Sequence, residues 1–163
     1  WQRLVKFLQD DNSSTLSILA LNGWDTFASP SAPLHEFVRK FDGTVRVLLI
    51  DPNCVACYQR LESLNVSQEK FLSDHKKTID FYREMKSKGS TIELKLYTQQ
   101  PIWKMIVTDG FMWIQHYEKI SHVDKNPVYE FYKNTDKTSL FYPLFSVFSK
   151  RWHHDDNPDI LHK

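Results

Sequence analysis

Residues 91–117, with the sequence TIELKLYTQQPIWKMIVTDGFMWIQHY, predict three β-strands in succession. The first, Ile92–Tyr97, alternates apolar and polar residues with the period of two that is typical of a half-buried strand. Two further apolar runs, Trp103–Val107 and Phe111–Tyr117, flank an Asp-Gly pair, which is a strong hairpin signal. This stretch therefore predicts the antiparallel part of a β-sheet.

The chain before this stretch predicts alternating helices and strands. Two short apolar runs, Thr15–Leu21 and Val45–Ile50, are rich enough in apolar residues for buried strands. A helix predicted between them makes a βαβ-like unit, which implies parallel strands and a right-handed crossover. The segments with helical spacing of apolar residues or helix-capping signals are Trp1–Gln9, Leu34–Phe41, Cys54–Leu64, residues 67–89 and Tyr142–Trp152. With a further strand at Val128–Tyr132, the expected fold is α/β, a mixed sheet flanked by helices on both faces.

Composition narrows the classes of partner. The net charge of +1 predicts no broad basic face for nucleic acid, and no apolar run is long enough for a membrane span. Two cysteines are too few for a disulfide scaffold, so we expect a reducing, cytoplasmic setting. We expect residues 1–152 to form one domain cut from a longer chain, and residues 153–163 to form a loose tail.

The spacing of Lys104, four residues and then Asp109-Gly110 matches part of a known motif. Together with the strand Ile18–Asn22 and the VRVLLID strand Val45–Asp51, it resembles one repeat of the phospholipase D superfamily, whose motif is H-x-K-x4-D. The similar domains are those attached to bacterial regulators. The resemblance implies a phospholipase D-like half fold, and it implies that two copies can pair as a homodimer.

The resemblance also implies that catalysis is lost. Active members attack phosphodiesters with the motif histidine, but Ile102 stands at that position and has no lone pair. The family's small glycine-serine pair on the next strand is replaced by His116 and Tyr117. We therefore expect no catalytic residue, no cofactor and no metal. The expected function is that of a ligand-binding or sensor domain for a small phosphate-bearing or other anionic ligand, which regulates an attached domain.

The expected binding site lies where predicted strands end. Ligands bind outside the carboxyl ends of the strands in open α/β sheets, and a following helix N-terminus favours anions. The candidate ligand-binding residues are Asn22, Trp24, Asp51, Asn53, Lys104, His116 and Tyr117. Each has a structural alternative: Asp51 and Asn53 can simply cap the helix that follows, and His116 can be a packed strand residue.

Other functions stay open from the sequence. His116 can serve as a displaced acid or base in a divergent phosphodiesterase or nuclease that acts as a dimer. Cys54 and Cys57 form a C-x-x-C pair at a predicted helix start, as in dithiol oxidoreductases. A third hypothesis is an interaction or dimerisation domain without a small ligand. The run His153-His154-Asp155-Asp156 is a poor metal site, because its adjacent residues lie on a predicted loose tail.

Overall fold

The structure is a computed structural model, and it describes residues 1–118 and 121–154. The helices are α1 (Gln2–Asp10), α2 (His35–Lys40), α3 (Val55–Ser63), α4 (Gln68–Ser87) and α5 (Phe141–Trp152). The strands are β1 (Thr15–Ala20), β2 (Thr44–Ile50), β3 (Ile92–Tyr97), β4 (Trp103–Val107), β5 (Phe111–His116) and β6 (Val128–Tyr132). These elements confirm the predicted ones to within a residue or two at most ends. The sequence analysis missed a π-helix at Trp24–Ala28 and a 3₁₀ turn at Val123–Lys125.

All strands of the described residues form one mixed sheet in the order β3-β2-β1-β4-β5-β6. The first three strands are parallel neighbours, as the βαβ-like pattern predicts. The last three form an antiparallel meander that joins the sheet where β4 lies antiparallel to β1. The prediction of a mixed α/β fold is confirmed. The finer prediction of a phospholipase D-like half stays a prediction.

Helices cover both faces of this sheet. Alternate residues of β1 point to opposite sides, so that Ile18 joins a core with α1, α2 and most of α4, and Leu19 joins a second core with α3 and α5. We call these sides the α4 face and the α5 face. Each fully buried aliphatic side chain stabilises the fold by about 1.5–3 kcal/mol, and the central strands contribute such side chains to both cores.

Helices α3 and α4 begin at side-chain caps. Ser67 Oγ accepts a hydrogen bond from the backbone N–H of Lys70 at 3.3 Å, at the start of α4. At the start of α3, Cys54 Sγ accepts from the N–H of Cys57 at 3.4 Å. The sequence analysis considered Asp51 and Asn53 for this capping role. Instead, Asp51 Oδ1 accepts from the N–H of Asn53 at 2.9 Å and closes the turn before the helix.

The Asp109 turn ties the hairpin to a distant part of the chain. Asp109 Oδ2 accepts from the N–H of Ser14 at 2.7 Å and from its hydroxyl at 3.0 Å, across 95 residues of sequence. Ser14 directly precedes β1, so this contact lies at the amino end of β1. Asp109 is therefore a turn residue that positions the hairpin, at the opposite end of β4 from Lys104.

Two expectations concern the chain terminus and membranes. Residues 155–163 of the predicted tail lie outside the described residues, as do Asp155 and Asp156 of the histidine-aspartate run, while His153 and His154 are exposed. Among the helices of the described residues, none has the length and apolar character that crossing a bilayer requires.

We predict that Gly23→Ala lowers the free energy of unfolding by about 2–4 kcal/mol. Gly23 has φ = +76°, and a Cβ there would lie 2.5 Å from the Phe27 ring, so the variant adds a clash to an unfavourable left-handed backbone. The matched control is Gly89→Ala, where φ is +86° but no atom lies within 4 Å of the added Cβ. Urea denaturation should show a loss of only about 1–2 kcal/mol there. Equal losses in the two variants would contradict the clash.

Candidate functional site

A cavity of about 160 Å³ opens at the carboxyl end of β1. The turn after β1, the connection between α3 and α4, and the segment after β5 form its walls. Its lining is rich in charge of both signs: the charged residues are Asp25, Arg60, Lys70, Asp74, Lys104 and Asp124. This position, outside the end of a central strand, is where the sequence analysis expected a ligand site.

Asn22 shapes the wall that follows β1. Its Oδ1 accepts a hydrogen bond from the N–H of Trp24 at 3.2 Å, which turns the chain sharply. Gly23 then takes a left-handed conformation and begins the π-helix, whose first turn borders the cavity through Asp25 and Thr26. The Asn-Gly pair is thus the local reason why the chain bends around the cavity instead of continuing the strand.

Lys104 supplies a buried cation to the cavity. It is the second residue of β4, and because β4 is antiparallel to β1, it lies near the end of β1. Its side chain is on the α4 face and the residue is only 4% exposed. Lys104 Nζ lies 3.5 Å from Asp124 Oδ1 and 4.6 Å from the centroid of the Trp1 ring. Burial lowers the pKa of the Lys104 ammonium, and the carboxylates of Asp124 and Asp25 oppose that shift.

Asp124, the carboxylate partner of Lys104, is much more exposed than the lysine. The Asp124 side chain is 63% exposed and belongs to the short 3₁₀ turn. Its separation of 3.5 Å from the ammonium is longer than the 2.7–2.9 Å of a strong charge-assisted hydrogen bond. Lys104 is therefore a buried cation whose negative partner reaches in from the surface.

Arg60 holds the segment that carries Asp124. This buried residue of α3 donates hydrogen bonds to the carbonyl oxygens of Glu118 and, at 3.0 Å, of Ser121. Its guanidinium carbon lies 5.4 Å from the centroid of the Tyr117 ring, a cation–π contact. Burial raises the pKa of the Tyr117 hydroxyl. The Arg60 side chain thus joins helix α3 to the wall of the cavity. Arg60 was not among the residues selected from the sequence.

A second set of hydrogen bonds fixes the far end of the same segment. Gln115 Nε2 donates to the carbonyl of Asn126 at 2.9 Å, and Asn126 Nδ2 donates to the carbonyl of His116 at 2.7 Å. The segment therefore returns to the end of β5 within a few residues. This return places His122, Val123 and Asp124 against the cavity.

The structure brings together some of the sequence-predicted residues and separates others. Asn22, Lys104 and Tyr117 line one cavity. Trp24 follows Asn22 but lies outside that lining, and its ring contacts Lys77, whose Nζ is 4.9 Å from the ring centroid. Asp51 and Asn53 also lie outside the lining.

His116 lies on the other side of the sheet from Lys104. In the β4–β5 pair, Lys104 is opposite Gln115, whereas Trp103 is opposite His116, so the two positions face opposite sides. His116 is exposed, and its ring lies 5.0 Å from that of Trp103. It borders a separate surface depression with Ile102. The structure therefore does not place His116 next to the buried lysine.

The C-x-x-C pair is present as two free thiols. Cys57 is buried in the core on the α5 face of the sheet. Burial, and to a smaller extent the charges of Cys54 and Asp51, raises the pKa of its thiol to about 12. A thiol with this pKa stays protonated at neutral pH and is a weak nucleophile. Cys54 is partly exposed and caps α3.

His75 is a buried titratable group that was not among the residues selected from the sequence. It lies in α4, hydrogen-bonded to the backbone of Ile50 at the end of β2, and its Nε2 has no hydrogen-bond partner among the described residues. Burial lowers the pKa of His75, while Ile50 and Asp51 oppose the shift. Within residues 1–118 and 121–154, no three histidine, cysteine, aspartate or glutamate side chains form a group that could hold a metal ion.

Comparison of the chain with protein-family models, with curated protein sequences and with solved structures finds no match. The resemblance to the phospholipase D superfamily therefore stays a prediction, and the functional argument rests on the geometry of the site.

We predict that His75 makes the protein less stable in mild acid. The unfolded chain binds a proton at this residue near pH 6.5, but the folded protein binds it only at lower pH. The free energy of unfolding should therefore fall as the pH drops below about 6.5, by at most about 1.4 kcal/mol per pH unit. Urea denaturation between pH 7.5 and 5 should show a shallower fall in His75→Leu than in the wild type. The control His116→Leu, at an exposed histidine, should keep the wild-type slope; an unchanged slope in His75→Leu would refute the assignment.

Proposed function

We propose that this domain binds a compact anionic ligand in the cavity at the carboxyl end of β1, without catalysing its reaction, and that binding regulates an attached domain. The observation that carries the proposal is the buried ammonium of Lys104, which lines the cavity and pairs only loosely with Asp124. A phosphate or carboxylate group of the ligand would take the place of the Asp124 carboxylate beside Lys104. The electrostatic attraction is strong in such a position, because little water screens it.

The size of the cavity limits the ligand. Its volume of about 160 Å³ is close to that of an engineered protein cavity, about 150 Å³, which binds benzene. Sites for drug-sized molecules measure about 300–1,000 Å³. Inorganic phosphate, a small phosphomonoester or a short carboxylic acid fits this limit.

The charged residues of the lining favour an anionic ligand, which would lie near carboxylates as well as near cations. Arg60 is engaged by two backbone carbonyls, and Asp74 pairs with Lys77 at 3.1 Å. Lys70 is the third cation of the lining and is exposed, so Lys104 is the buried cation that a ligand can reach by displacing the exposed side chain of Asp124. Displacement of Asp124 would also release the 3₁₀ turn that Arg60 connects to α3. This connection gives a physical route from ligand binding to the outer surface of the domain.

The alternative functions receive less support from the geometry. A divergent phosphodiesterase that uses His116 would need this histidine near Lys104, but the two residues point to opposite faces of the sheet. In a dithiol oxidoreductase the partly exposed Cys54 would be the nucleophile, since the pKa of the buried Cys57 is raised, and the buried ammonium of Lys104 would have no role in that chemistry. The binding function requires neither group.

We predict that inorganic phosphate or methyl phosphate binds the wild type and that Lys104→Met weakens binding at least about tenfold. A hydrogen bond to a charged group contributes about 1.5–3 kcal/mol, and 1.4 kcal/mol corresponds to a factor of ten. Isothermal titration calorimetry at constant salt measures the effect directly. The matched control is Lys76→Met, at an exposed position of α4, which should bind as the wild type does.

A further variant separates this mechanism from nonspecific attraction. Asp124→Asn removes the carboxylate that competes with the ligand for Lys104, so it should bind phosphate more tightly than the wild type. The proposal fails if the wild type shows no binding at millimolar phosphate, if Lys104→Met binds equally well, or if Asp124→Asn binds more weakly.

A further inference from the structure

A second cavity lies at the opposite end of the sheet. Its volume is about 420 Å³, and it opens between the amino ends of β1 and β2, the turn after β4, and α5. Its lining includes three serine and threonine residues, Thr15, Ser17 and Thr108, and two cations, Arg46 and Lys133. This cavity shares no lining residue with the one at Lys104.

Two buried polar atoms of this lining lack hydrogen bonds. Thr108 is only 6% exposed, and its Oγ1 has no hydrogen-bond partner among the described residues. Arg46 Nε is buried and likewise has no hydrogen-bond partner among the described residues, although it lies 3.9 Å from Oε2 of Glu93 in an ion pair and the guanidinium carbon lies 5.9 Å from the centroid of the Trp152 ring. Native proteins rarely leave buried donors unpaired, because the unpaired state destabilises the fold. Both residues line the same cavity although these two atoms are closed to solvent, so a rotation of either side chain would bring its unpaired donor to an acceptor group supplied by a ligand.

The charge around these two donors favours an anion. Lys133 is an exposed residue whose Nζ lies 3.4 Å from the carbonyl oxygen of Asp109. The Asp109 carboxylate also borders the cavity, but the N–H and hydroxyl of Ser14 engage it at 2.7 Å and 3.0 Å. Arg46 and Lys133 can therefore provide a positively charged end with hydroxyl donors beside it.

The other wall of the cavity is aromatic. Phe141 and Phe145 of α5 stack with ring centroids 5.9 Å apart and an angle of 13° between their planes. Phe145 is 37% exposed, and Tyr142 beside it donates its hydroxyl to the carbonyl of Asn134. Such rings present a flat apolar surface on which another planar group can stack.

We propose that this second cavity binds an anion carried on a flat ring, such as an aryl phosphate or an aromatic carboxylate. The anionic group would accept hydrogen bonds from Thr108 and Arg46, and the ring would lie against Phe145. The volume of about 420 Å³ is within the range of small-molecule sites, and it is large enough for both parts of such a ligand. This site is independent of the one at Lys104.

Phenyl phosphate is the probe for this proposal, titrated into the protein by isothermal titration calorimetry. Thr108→Val keeps the shape of the side chain and removes the unpaired hydroxyl, so the variant should fold as well as the wild type and bind about fivefold more weakly. Arg46→Met should bind at least tenfold more weakly. Lys104→Met should leave the affinity for phenyl phosphate at this site unchanged.

The ring is tested separately. Phe145→Leu keeps an apolar side chain but removes the stacking surface, and it should weaken phenyl phosphate binding without changing the response to inorganic phosphate. The proposal is overturned if the wild type does not bind millimolar phenyl phosphate, or if Thr108→Val and Arg46→Met both bind as the wild type does. It is also overturned if Lys104→Met alone abolishes binding, since the probe would then occupy the first cavity. Loss of phosphate binding in Lys104→Met with phenyl phosphate binding intact would support two sites.

Discussion

The antiparallel pairing of β4 with β1 is the contact on which the rest of the structure depends. It joins the parallel half of the sheet to the antiparallel meander, and its register sets Leu19 opposite Met105. Because β4 runs antiparallel to β1, the start of β4 lies at the carboxyl end of β1 and the end of β4 lies at the amino end of β1. Lys104 and Thr108, near the two ends of this short strand, therefore belong to different cavities. A shift of the register by one residue would turn the Lys104 ammonium toward the α5 face.

The cavity at Lys104 combines a rigid part with an adjustable one. The lysine is held in a central strand, where its side chain is buried and its backbone lies opposite Gln115 of β5. Its negative partner comes from a surface turn whose position depends on Arg60, Gln115 and Asn126. A fixed cation with an exchangeable anion suits a binding site, because only a small part of the protein must move when the ligand enters.

The sequence predicts the fold better than it predicts the site. Local apolar periodicity identifies each regular helix and strand of the described residues, because the burial that forms them is repeated along the chain. Asn22, Lys104 and Tyr117, which line one cavity, were instead selected from the ends of predicted strands and from the resemblance to the phospholipase D superfamily. The register between β4 and β5 decides on which face of the sheet the His116 side chain lies. Because aromatic residues lie on both faces of β5, the sequence does not show which face carries His116.

The residues that sequence reasoning missed have partners that are distant or irregular. Arg60 is a single arginine in an amphipathic helix, and its backbone acceptors lie about 60 residues away. The π-helix has no periodic signal, since it depends on the left-handed Gly23 and on space next to Phe27. Asp51 and Asn53 have a strong turn signal, and the structure uses them for that turn. Polar residues at strand ends thus serve local geometry as readily as a ligand.

The order of the strands has a consequence for how the chain folds. The neighbour that covers the free side of β1 is β4, and the Asp109–Ser14 contact beside it spans 95 residues. Contacts over such distances form late, because the entropy lost in closing a long loop must be compensated first. During synthesis, β1 can pair with β2, and β2 with β3, while the other edge of β1 stays open. An apolar central strand with an open edge is prone to pair with another chain. Strand β1, which borders both cavities in the folded protein, is thus the strand that most needs protection from other chains until β4 pairs with it.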